Sequence, residues 1–144
     1  MKTTELQIND WVMYEGKPRR ITGLDENSVY FEKGCTECHK VTKIIPIPLT
    51  ADILEKNGFV ASNNFADILG IEIYGNEEKQ CGVEPGDGED DWDFKIYEPW
   101  TRCYEDGSPE DWGYLYTTNI KGIKYVHELQ HALKLCHIEK EIVV

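Results

Sequence analysis

The most regular pattern in the chain lies near its C-terminal end. From Ile123 to His137 the apolar residues Val126, Leu129, Leu133 and Cys136 recur at three- and four-residue steps, and Tyr125 and Ala132 widen the stripe. That period predicts one long amphipathic helix with a single buried face. The first 48 residues follow a different rhythm. Aromatic and β-branched runs at Trp11–Tyr14, Arg19–Leu24 and Ser28–Glu32 are separated by the turns Glu15-Gly16-Lys17-Pro18 and Asp25-Glu26-Asn27. Together with a further run at Val41–Ile47, they predict a small antiparallel sheet or an SH3-like barrel. Pro46 and Pro48 assign the last run to an edge, because neither can donate to a ladder.

Between these regions the signals are mixed. Leu49 and Thr50 open a short helix through Asn57: Thr50 caps it, Asp52 favours its first turn, Leu49 and Leu54 have the spacing of a hydrophobic staple, and Gly58 ends it. A run from Phe65 to Tyr74 reads as a strand beyond Gly70. The stretch 75–93 is polar, Gly-rich and acidic, which predicts a loop. Asp93–Tyr97 and Tyr114–Thr118 read as strands, with an irregular connection at Glu98–Gly113, where Pro99, Pro109, Trp100 and Trp112 fall. Ile138–Val144 is a candidate last strand. Strands flanking few helices predict an α+β fold with a mainly antiparallel sheet. The expected organisation is a β-meander or barrel-like portion at 1–48 and an α+β portion at 49–144 carrying an acidic loop region at 75–113, the two forming one compact unit.

Composition adds a strong asymmetry. The formal net charge is −12, and residues 61–113 hold 3 basic against 15 acidic side chains, while the flanking segments are nearly balanced. Such a field repels phosphate backbones and anionic lipid, so direct nucleic-acid and membrane binding are not expected. A basic protein partner suits it, and a decoy imitating nucleic-acid phosphates is a variant of that idea. No apolar run follows Met1 and no segment reaches the length of a membrane span, so a cytoplasmic protein is expected. In that compartment the five cysteines are expected to stay reduced, mostly as small buried hydrophobes.

Three constellations carry possible chemistry. His127-Glu128-Leu129-Gln130-His131 is the H-E-x-x-H pattern, in which two histidines one turn apart hold zinc and the intervening Glu acts as general base. His137 stands where metzincins place a third ligand. The pattern departs from that family at Lys134, where a turning Gly is required, and in lacking a later methionine turn. With about 100° per residue, both His127 and His131 fall nearly opposite Leu129, so they are expected to face water. A zinc-dependent hydrolase or peptidase built on these residues is therefore the alternative reading, and no cofactor the leading one.

Cys35-Thr36-Glu37-Cys38-His39 is a C-x-x-C-H pattern, readable as haem attachment, as a zinc knuckle through Cys35 and Cys38, or as a hairpin tip with free thiols. A knuckle needs two more ligands, and no second close pair exists. The third constellation is Glu84-Pro85-Gly86-Asp87-Gly88-Glu89-Asp90-Asp91-Trp92-Asp93, whose order does not match an EF-hand loop. Asp87, Glu89, Asp90, Asp91 and Asp93, with Trp92 as an aromatic anchor, form the candidate surface for a basic partner.

Three segments carry a family resemblance: Leu6-Gln7-Ile8-Asn9-Asp10-Trp11-Val12, Ile45-Pro46-Ile47-Pro48-Leu49-Thr50 leading to Lys56-Asn57-Gly58-Phe59, and Tyr125-Val126-His127-Glu128-Leu129-Gln130. In this order they resemble uncharacterised small proteins encoded in prophage-like and other mobile regions of gut bacteria. The resemblance implies cytoplasmic expression and names no chemistry or cofactor. The functional expectation is a non-enzymatic accessory protein that binds another protein.

Overall fold

The structure, a computed structural model, describes residues 1–32, 34, 36–61, 69–72 and 80–144. It is a mixed α+β fold of three small antiparallel sheets, a short helix and a C-terminal helix. By contact it divides into two compact units, Met1–Ile53 with Lys124–Val144 and Leu54–Ile123. This grouping differs from the 1–48 and 49–144 division: the C-terminal helix belongs with the N-terminal strands.

In the first unit, β1 (Trp11–Tyr14) pairs with β2 (Lys17–Arg20) across the Glu15-Gly16 turn, where both residues take positive φ. On its other side β1 pairs with the two-residue β6 (Ile45–Pro46), which puts Pro46 on an edge strand as the missing amide requires. A second sheet has the order β3 (Gly23–Asp25), β4 (Ser28–Tyr30), β5 (His39–Lys40). The expected strand at Val41–Ile47 is instead a 3-10 turn at Val41–Lys43 followed by β6. The i, i+3 spacing that buries both Val41 and Ile44 fits a tight turn better than a pleat. Leu6, Val12, Ile21, Val29, Val41 and Ile44 form the core of these strands.

The amphipathic pattern gives α2 (Val126–Leu135), which lies against β1 and buries Val126, Leu129, Ala132 and Leu133. Its C-terminus closes as a Schellman motif: Ile138 N–H donates to Leu133 O at 2.9 Å and His137 N–H to Lys134 O at 3.1 Å, with His137 at φ +58°. The expected strand at Ile138–Val144 does not form. That segment is irregular and is held by the burial of Ile138 and Ile142 and by Trp11 Nε1–H donating to Ile142 O at 2.7 Å.

The short helix α1 (Ala51–Lys56) starts where the sequence places it. Thr50 Oγ1 accepts from Ile53 N–H at 3.3 Å, and Gly58 at φ +83° ends it, with Phe59 N–H donating to Leu54 O at 3.0 Å. Phe59 and Leu54 are fully buried.

In the second unit the strands β7 (Val60–Ala61), β8 (Leu69–Glu72), β9 (Gln80–Pro85), β10 (Trp92–Cys103) and β11 (Pro109–Ile123) form one antiparallel sheet in chain order. Two expectations are corrected here. Part of the supposed loop at 75–93 is β9, and the supposed irregular connection at Glu98–Gly113 is the distal half of a long β10–β11 ribbon. The prolines that read as breakers sit where a strand tolerates them. Pro109 is the first residue of β11, and Pro99 lies past Tyr97, where the described pairing of β10 with β9 ends. The rest of the Phe65–Tyr74 run, outside β8, and the start of the 75–113 region lie outside the described residues.

Candidate functional site

Each sequence candidate has a defined place, and the three H-E-x-x-H side chains have three different ones. Glu128, at the third position of α2, folds back to the helix start. Its Oε2 accepts from Lys124 N–H at 2.7 Å and Tyr125 N–H at 3.1 Å. That is a cap, and it engages the carboxylate that a general base would need.

His131 meets the turn before β1. Its Nε2 lies 2.9 Å from both oxygens of Asp10, a carboxylate only 2 % exposed. An ionised carboxylate only accepts, so Nε2 carries the proton. Asp10 Oδ2 also accepts from Gln7 N–H at 2.7 Å, and the backbones of Asn9, Asp10 and Ile21 are cross-bonded. The neighbouring polar residues of α2 repeat the pattern. Gln130 accepts from Trp11 N–H and donates to Asn9 O, both at 3.0 Å, and Lys134 Nζ donates to Gln7 Oε1 at 2.8 Å. The polar side of α2 is thus covered by residues 7–11.

This overturns the expectation that both imidazoles face water. His127 is 4 % exposed, and its ring stacks on Tyr125 at 5.8 Å and meets His131 edge-on at 5.7 Å. Its Nδ1 is buried without a hydrogen-bond partner. Burial is the main cause that pushes the His127 pKa down from its ordinary value, against the opposing charges of Asp10 and Glu128. A helical-wheel argument missed this because a distant segment, not the helix itself, encloses that face. The hint in the sequence was the polar approach to β1, Gln7, Asn9 and Asp10, just before the aromatic and β-branched run.

His137 is exposed and occupies the left-handed cap position. Among the described residues no group of three or more His, Cys, Asp or Glu side chains is arranged to hold a metal ion. His127, His131 and His137 therefore do not form the ligand set of the zinc alternative. A cleft of about 610 Å³ does open beside Asp10 and His131, lined also by Arg20, Lys134, His137 and Glu141. Much of its charge is internally matched: Arg20 Nη1 donates to Glu141 at 2.6 Å, Asp10 holds His131, and Gln7 holds Lys134.

Cys38 is exposed, while its partner in the C-x-x-C pattern, Cys35, lies outside the described residues. Of the other thiols Cys81 is buried, Cys136 half-buried and Cys103 exposed, so burial as small hydrophobes holds for only part of the set. Burial pushes the Cys136 thiol up from its ordinary pKa.

The acidic stretch is the turn between β9 and β10, and it is more ordered than a solvated loop. Gly86 N–H donates to Asp91 O and Gly88 N–H to Asp91 Oδ1, both at 3.0 Å. A Cβ on Gly86 or Gly88 would come within 2.3 Å or 2.5 Å of the Asp91 carboxylate, which would then have to shift. Asp93 is 7 % exposed, accepts from Gly122 N–H at 3.2 Å, and faces Lys121. Trp92 and Asp91 are half-buried, and Glu84 pairs with Lys95. Asp87, Glu89 and Asp90 are the candidates left exposed, with Lys121 Nζ 3.2 Å from Asp87. No helix among the described residues is long and apolar enough to cross a membrane. Comparison of the chain with protein-family models, with curated proteins and with solved structures gives no match.

Proposed function

We propose that this chain is a non-enzymatic protein-binding module whose β9–β10 turn docks against a basic partner through Asp87, Glu89 and Asp90. The observation that carries the reading is the construction of that turn: Asp91 and Asp93 are spent on fixing the backbone, and three carboxylates stand exposed on the result. A preorganised acidic tip loses little entropy on binding, and it lies in the segment that holds the chain's charge excess. The engagement of Glu128 in a cap and of His131 with Asp10 favours this reading over hydrolysis. The three-segment resemblance supports an accessory role of prophage or mobile-element type, acting in the cytoplasm.

The test is calorimetric titration with a short lysine-rich peptide at low and physiological salt. The reading requires binding that weakens steeply with salt and falls at least several-fold in Asp87→Asn, Glu89→Gln, Asp90→Asn protein. Equal affinity of wild type and variant would remove the turn as the docking surface.

A further inference from the structure

A second cavity, in the first unit, has a different chemistry. Tyr14 at the end of β1, Phe31 just after β4 and His39 on β5 bring three rings together: Tyr14 and Phe31 at 5.3 Å between centroids, Tyr14 and His39 at 4.6 Å, and Phe31 and His39 stacked at 5.2 Å. Tyr14 and Phe31 pack against the core cluster and also line a pocket of about 290 Å³. The rings are therefore a fixed floor. The rim consists of Glu15, Glu32, Glu37 and Arg19, all exposed. Among the described residues three carboxylates against one guanidinium make the mouth electronegative. Burial first, then hydrogen bonding to Glu15 and the charges of Glu15 and Glu37, push the Tyr14 hydroxyl up from its ordinary pKa, consistent with that field.

We propose that this pocket binds an alkylammonium group, with the side chain of a lysine on a protein partner as its occupant. Aromatic faces attract a cation electrostatically, and a rim of carboxylates accepts the N–H bonds that a primary ammonium must keep when it leaves water. The volume falls short of ordinary small-molecule sites and suits the end of one side chain. The proposal uses none of the residues of the acidic turn, so each can fail without the other.

The test follows the ring resonances of Tyr14, Phe31 and His39 by NMR while N-acetyl-lysine methylamide, the uncharged N-acetyl-norleucine methylamide, or tetramethylammonium is added to the full chain. Saturable shifts with the lysine derivative at millimolar concentration, and little response to norleucine, are expected. Equal response to lysine and norleucine, or none to lysine, overturns the proposal. Response to tetramethylammonium alone overturns the lysine assignment. Glu15→Gln with Glu37→Gln, at exposed positions, is expected to weaken lysine binding about fivefold while leaving the Phe31 and His39 ring resonances of the free protein in place. Undiminished binding in that variant would also contradict it.

Discussion

The contact between Asp10 and His131 is expected to be one of the strongest polar links in the first unit, and a double-mutant cycle measures it. Asp10 is 2 % exposed and accepts from the Gln7 amide at 2.7 Å and from His131 Nε2 at 2.9 Å. Hydrogen bonds to a charged group contribute about 1.5–3 kcal/mol each, and a buried group left without its partner costs more than an exposed one. Asp10→Ala removes both bonds and orphans the Gln7 amide, so a loss of about 3–5 kcal/mol is expected. Asp10→Asn keeps an acceptor for Gln7 and is expected to lose roughly half as much. His131→Ala removes a single bond from a side chain that is 26 % exposed, for about 1–2 kcal/mol. The coupling between the two sites is then about 1–2 kcal/mol. Urea unfolding followed by the indole N–H resonance of Trp11 supplies the four stabilities, since that indole donates to Ile142 O within this unit. Hydrogen exchange of the α2 amides gives a local check. A coupling below about 0.5 kcal/mol would refute the view that the polar face of α2 is a docking surface for residues 7–11.

Further outcomes follow from the same geometry. Because His127 has a depressed pKa in the fold, the unfolded chain takes up a proton first as pH falls below 6.5; stability is therefore present at neutral pH and declines on acidification, and His127→Phe flattens that decline in urea midpoints while adding about 1 kcal/mol by deleting the orphaned Nδ1. Glu128→Ala leaves the Lys124 and Tyr125 amides uncapped and is expected to cost about 1 kcal/mol, read as faster exchange in the first turn of α2. His137→Gly relieves a left-handed non-glycine residue and raises thermal stability by about 0.5–1 kcal/mol, with no change expected in peptide binding. Gly88→Ala displaces the Asp91 carboxylate from the Gly88 amide, costs about 1 kcal/mol, and loosens the turn in hydrogen exchange.

The elements visible in the sequence are those set by neighbours along the chain. The stripe Val126, Leu129, Leu133 became the buried face of α2, and Thr50 and Gly58 bracket α1 as their capping chemistry requires. What was hidden depends on distant partners. The bonds of Gln130 to Trp11 and of His131 to Asp10 join α2 to residues more than 100 positions away in sequence. The β10–β11 ribbon was obscured by Pro99 and Pro109, whose cost vanishes only once the pairing is known. Ile138–Val144 ends in the β-branched run Ile142-Val143-Val144 and is fixed instead by the Trp11 indole and the Arg20–Glu141 pair. At the candidate site the acidic composition was legible from the sequence. The division of labour between Asp91 and Asp93, which shape the turn, and Asp87, Glu89 and Asp90, which face outward, was not. Within the first unit the stretches 6–12, 45–50 and 125–130 come together: Gln130 binds Asn9 and Trp11, Val126 N–H donates to Ile47 O at 2.9 Å, and Pro48 bridges Tyr125.

The docking claim is tested most directly by mapping amide chemical shifts while a short lysine-rich peptide is titrated into the full chain. The account predicts the largest changes at Gly86, Gly88, Glu89 and Asp90, collapsing when salt is raised. A shift map that leaves 86–91 unmoved while the peptide binds elsewhere on the second unit would contradict it.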